Sequence, residues 1–93
     1  MRNPFIWNEI EMWTGADLIE TVQLLDEDDA EGFMEAYSEA CEDAEHNLRY
    51  IMTLTDRETA EALSELFMIE CPESDEVVEP RQWWNDSSLG VKA

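Results

Sequence analysis

Apolar residues recur along this chain mainly at helical spacing. Ile6, Ile10 and Trp13 stand at i, i+4 and i+7, the repeat of one helix face. Asn3 can cap that segment and Pro4 suits a first helical position, so a first helix is expected there. Thr14-Gly15 breaks it. Thr14 can then cap a second helix, with Asp17 three residues on as its reciprocal partner. Leu18, Val22 and Leu25 form the stripe of that helix, with Ile19 beside it.

The stripe fails at Asp29, and a new one starts at Ala30, one residue out of phase. A turn near 26–28 accounts for the slip; one continuous helix is the alternative. Ala30, Met34, Tyr37, Cys41, Ala44, Leu48 and Ile51 then alternate in steps of four and three, widened by Phe33 and Ala40. This predicts an amphipathic helix of roughly 25 residues, about 38 Å long. It is longer than so short a chain needs for its own core, which makes it the centre of a bundle or of a homodimer. Thr55 and Glu58 match a capping box, and Ala60, Leu63 and Phe67 share a face beyond them, with Leu66 beside it. That helix stops before Pro72.

The remainder, PESDEVVEPRQWWNDSSLGVKA, has no period. The expected fold is therefore all-α: three to four helices around one long amphipathic helix in a helical domain 1–71. An extended or partly disordered tail, 72–93, carries acids and Trp83-Trp84.

Composition changes the picture from fold to partner. The chain has 93 residues and a formal net charge of −19, from 24 acids against five bases. Between Arg2 and Arg49 it has neither Lys nor Arg. Direct nucleic-acid binding is disfavoured, because both sides would be anionic. The expected partner is basic: a cationic protein surface or metal cations. The 44% hydrophobic content and four Trp argue against a wholly disordered acidic tail. Cys41 and Cys71 have no metal-ligand spacing and read as reduced thiols, with a disulfide left open. No signal peptide and no run of roughly 20 apolar residues appears, so a soluble, cytoplasmic protein is expected, in the host cell if phage-encoded.

The main signal is a ridge. Glu27, Glu31, Glu35, Glu39 and Asp43 recur every four residues, flanked by Glu42 and Glu45. On one helix they would line up about 6 Å apart. Each like-charge i,i+4 pair costs about 0.2–0.5 kcal/mol, so four cost about 1–2 kcal/mol. Such a ridge works against stability. A solvated face is the bland explanation; the near absence of balancing Lys and Arg favours a function. High-salt adaptation fits less well, since Glu outnumbers Asp sixteen to eight.

Other chemistry is weakly supported. Glu27 to Gly32 has carboxylates where a calcium loop wants them, but Ser38 holds the position that needs a bidentate Glu. Asp43-x-x-His46 is half of a dimetal motif in a chain with one His. There is no Gly-rich phosphate loop and no nucleophile–His arrangement. No enzyme activity, cofactor or specific metal site is expected.

The sequence thus points to an acidic, DNA-mimic-type inhibitor that blocks a basic nucleic-acid-binding protein. A restriction nuclease, CRISPR effector, repressor or nucleoid protein would fit, and so small an inhibitor would suit a phage or mobile element. Glu27, Glu31, Glu35, Glu39, Glu42 and Asp43 are the candidate phosphate surrogates, and Trp83 and Trp84 candidate docking anchors. The alternative is a helical adaptor or assembly protein, homodimeric through the stripe of Met34, Tyr37, Cys41, Leu48 and Ile51, with acids for solubility.

Overall fold

The first apolar segment is a β-hairpin. In the computed structural model, which describes residues 3–85, strands β1 (Phe5–Trp7) and β2 (Ile10–Met12) precede four helices: α1 (Gly15–Val22), α2 (Glu27–Ala40), α3 (Ala44–Thr53) and α4 (Arg57–Phe67). The all-α expectation is thereby corrected to a mixed fold with a two-stranded antiparallel sheet. The strands pair Phe5 with Met12, Ile6 with Glu11 and Trp7 with Ile10. Alternation puts Phe5, Trp7, Ile10 and Met12 on one face; Phe5 and Met12 are buried, while Ile6 and Glu11 are exposed. Asn8 (φ 52°) and Glu9 (φ 68°) form the connection, the pair of positive φ values that a two-residue primed turn requires.

The second correction concerns the long helix, which does not exist as one piece. Cys41 is extended (φ −149°, ψ 126°), and Asp43 becomes the N-cap residue of α3. Helix electrostatics favours this break. In one continuous helix Glu42, Asp43 and Glu45 would sit mid-helix among like charges. In the broken one they surround the N-terminus of α3, where the dipole stabilises acids. One tertiary contact closes the end of α2, the Asn85 N–H donating to the Ala40 carbonyl at 2.9 Å, and α3 opens with its own first-turn bond from the Asn47 N–H to Asp43 O at 2.9 Å.

The stripe is nonetheless buried. Tyr37, Cys41, Leu48 and Ile51 lie in the core and Met34 packs against it. The chain folds at residues 41–43 so that α2 and α3 turn these residues onto one shared interior. They therefore face the monomer's own core, with Met34 partly buried at its edge.

Capping explains the other boundaries. At α1 the box is made as expected: the Asp17 N–H donates to Thr14 Oγ1 and the Thr14 N–H to Asp17 Oδ2, both at 3.2 Å. At α4 it is not. The N-cap is Asp56, and the Thr55 hydroxyl instead donates to Met52 O at 2.9 Å. Helix α4 ends on Met68 in the left-handed conformation (φ 57°), a position that favours glycine.

Phe33 is the centre of the core, with ring centroids 5.3 Å from Trp7, 5.8 Å from Phe5 and Tyr37, and 6.2 Å from Phe67. Residues 69–85 contain no helix or strand, yet Ile69, Val78, Trp83 and Trp84 are buried. Trp84 donates its indole N–H to Asn3 O at 2.7 Å. Trp83 packs on Tyr50, 6.0 Å between centroids, and so close over Gly15 that a methyl there would overlap the indole. The described part of the tail is thus a strap across the helices; residues 86–93 of the expected tail lie outside the described residues. Among the described residues no helix is long and apolar enough to cross a membrane.

Candidate partner-binding surface

Helix α2 carries the acids because its first turn welcomes them and its outer face is free. Asp26 caps it, its carboxylate accepting from the Asp29 N–H at 3.0 Å. Glu27, Asp28 and Asp29 follow in the first turn, where the dipole offsets their mutual repulsion. Partial burial, then the Asp26 and Asp28 carboxylates, hold the Asp29 carboxyl above its ordinary range.

Beyond that turn Ala30, Phe33 and Tyr37 point inward, so Glu31, Glu35 and Glu39 point outward and are exposed, as is Glu27. Glu27 to Glu39 spans twelve residues, about 18 Å of axis. No ion pair among the described residues reaches this ridge. All three described arginines are engaged elsewhere: Arg49 with Glu76 at 2.8 Å, Arg57 with Glu61 at 3.3 Å and Arg81 with Asp43 at 3.2 Å.

The break at residues 41–43 shortens the expected set. Glu42 is exposed in the turn after the ridge. Asp43 is half-buried, and its Oδ1 accepts from Arg81, so it is neither aligned with the ridge nor uncompensated. The structure brings Glu27, Glu31, Glu35 and Glu39 together, with Glu42 beyond their end, and leaves Asp43 aside. Trp83 and Trp84 are buried at 3% and 2% exposure; in this conformation they hold the tail to the core.

The clusters considered for metals are otherwise occupied. Glu27 to Gly32 is helix, which cannot wrap an ion as a calcium loop does. His46 Nε2 lies 2.6 Å from Glu79 O. Among the described residues no group of three or more His, Cys, Asp or Glu is placed to hold a metal ion. Both cysteines are free thiols, and burial raises the proton affinity of Cys41.

Sequence reasoning missed two features. The first is Asn47, fully buried: its Nδ2 donates to Gln82 O at 3.0 Å and Tyr37 Oη at 3.2 Å, and its Oδ1 accepts from the Arg81 N–H at 2.8 Å. A polar residue between Ala44 and Leu48 on the inward side of the helix was its only signal. The second is a pair of clefts either side of Leu25, lined partly by the exposed Leu24 and Ile10; Leu24 lies outside the helical stripe and Ile10 was placed in a helix. Comparison with protein-family models, curated proteins and solved structures found no match.

Proposed function

We propose that this chain is an acidic mimic of nucleic acid that binds and blocks a basic, nucleic-acid-binding protein. One observation carries the reading: an exposed ridge of four carboxylates on α2 that no ion pair reaches among the described residues, every described arginine being engaged elsewhere. A duplex strand presents one phosphate per ~3.4 Å of axis. The ridge presents one carboxylate per ~6 Å, with Asp28, Asp29 and Glu42 adding charge at its ends. A groove that follows a line of phosphates meets in α2 a rigid line of like sign. The inhibitor acts by occupancy, steered by long-range attraction.

Capture from nuclease-treated lysate at low salt and at about 0.5 M salt tests the reading, because screening shortens the reach of charge. Nucleic-acid-binding proteins should dominate the low-salt set and leave at high salt. The double variant Glu35→Lys/Glu39→Lys should lose them. If that variant retains the same proteins at the same salt, the ridge is not the binding element and the mimic reading is wrong.

A further inference from the structure

Charge alone attracts any basic surface, and discrimination requires contacts that charge does not provide. The structure offers such contacts at the N-terminal end of the ridge. Leu25, in the turn between α1 and α2, separates two open clefts that share it as a wall. One, about 380 Å³, lies between the hairpin and α1, with Trp7, Ile10 and Leu24 as its apolar lining. The other, about 550 Å³, lies between that turn and α4, lined by Ala62, Leu63 and Leu66. Leu24 is 80% exposed and Ile10 42%. Apolar side chains left this open and clustered mark an interaction surface more than isolated ones do.

The rim of both clefts is acidic. Glu11, Glu20 and Asp29 border the first, and Asp26, Glu27 and Glu65 the second. Among the described residues no Lys, Arg or His lines either. Glu27 belongs to the ridge as well, so the clefts and the ridge form one continuous surface. We propose that the paired clefts seat the apolar side chains of a cationic amphipathic segment of the partner protein. An aliphatic or aromatic residue would enter beside Leu25, and flanking Lys or Arg would meet Glu11, Glu20, Glu27 and Glu65. This deepens the proposed function and rests on its basic partner: the ridge supplies attraction, and the clefts supply the part of affinity that salt does not remove. A second copy of the chain is the poorer occupant, because two acidic rims would meet without a base between them.

The test uses two synthetic peptides of equal charge. One is amphipathic, built of Lys and Leu with one Trp; in the other, Ser replaces Leu and Trp. Both bind the wild-type chain at low salt. At about 0.5 M salt, where charges are screened beyond a few ångströms, the amphipathic peptide should bind at least tenfold tighter by calorimetry. The double variant Ile10→Ser/Leu24→Ser should lose that ratio while keeping its low-salt affinity for the Ser-containing peptide. Amide shifts in the wild-type chain should centre on Ile10, Leu24, Leu25 and Glu65. Equal affinities at high salt, a ratio unchanged in the double variant, or shifts centred elsewhere would overturn the proposal. So would a concentration-dependent dimer abolished by Leu24→Ser, which would make a second copy the occupant. Failure of the ridge reading looks different: Glu35→Lys/Glu39→Lys would then leave low-salt affinity for both peptides unchanged, whatever the clefts do.

Discussion

Replacing Glu35 by Lys should make this protein more stable. Glu35 is exposed on α2 and stands four residues from both Glu31 and Glu39, so it takes part in two like-charge pairs on the ridge. Removing both repulsions returns about 0.4–1 kcal/mol, and making two attractive pairs adds about as much, for a total of about 1–2 kcal/mol at low salt. Lys and Glu have similar helix propensities, so the gain is electrostatic rather than conformational. In a domain of this size it corresponds to a rise in Tm of roughly 4–16 °C. Glu35→Gln, which removes repulsion without adding attraction, should give about half. Thermal unfolding followed by far-ultraviolet circular dichroism reads both variants, once at about 10 mM salt and once at about 1 M, where the screening length is about 3 Å. The gain should be present at low salt and nearly gone at high salt. A gain that persists at 1 M, or no gain at either, would refute the claim that the ridge is held against its own repulsion.

Four further outcomes test the fold around the surface. Met68→Gly should stabilise by about 0.5–1 kcal/mol, because relief of left-handed strain at the end of α4 exceeds glycine's entropic cost; Met68 is 91% exposed and loses no packing, and urea unfolding gives the value. Asn47→Ala should cost about 3 kcal/mol by removing the acceptor of the Arg81 N–H and one donor each from the Gln82 carbonyl and the Tyr37 hydroxyl. It should also speed labelling of Cys41, whose thiol donates to Gln82 O in the same strap. Gly15→Ala should displace the Trp83 indole, costing about 1–3 kcal/mol, with a changed near-ultraviolet circular dichroism spectrum. The Glu73 N–H, then Arg49, hold the Glu76 carboxyl below its ordinary 4.5. A carboxyl depressed in the folded state stabilises above its unfolded value and loses that contribution as pH falls through the folded one, so the Tm gap between wild type and Glu76→Gln should be open at pH 7 and close below about pH 4.5.

Periodicity located burial better than it located secondary structure. The stripe from Ala30 to Ile51 is interior along its length, because residues selected for the core keep their apolar character whether the helix continues or folds back. What periodicity could not see was the break at Cys41–Asp43, which no Gly or Pro marks. It depends on a dipole preference summed over several acids and on a contact from Asn85, over 40 residues away from Ala40. The hairpin was hidden for a related reason. Three-residue strands give too few alternations to outvote an i, i+4 match, and Asn8-Glu9 lacks the glycine that usually announces such a turn. Trp83 and Trp84 show the limit of composition: a polar, aperiodic segment was legible as irregular, but its route across Gly15 and Asn3 was not.

The break also bears on how the acids should be weighed. Had solubility been their only role, any exposed position would serve, and alternation with lysine would give the same solvation without strain. Around residues 41–45 the chain does find a place for acids that stabilises it: Glu42, Asp43 and Glu45 gather at a helix start, and Asp43 gains Arg81. At Glu31, Glu35 and Glu39 it does not. These three stand past the first turn, where the dipole no longer helps, and no arginine among the described residues approaches them. One chain thus contains both solutions, and the uncompensated one lies beside two clefts that combine open apolar side chains with acidic residues at their rims. The proposed cationic partner would account for such a cost lying next to a surface suited to binding. The experiment that separates this from drift is the pairing of two readouts on one variant. Glu35→Lys should gain stability and lose affinity for a basic partner together, and a variant that gains the first while keeping the second would show that the ridge serves no partner.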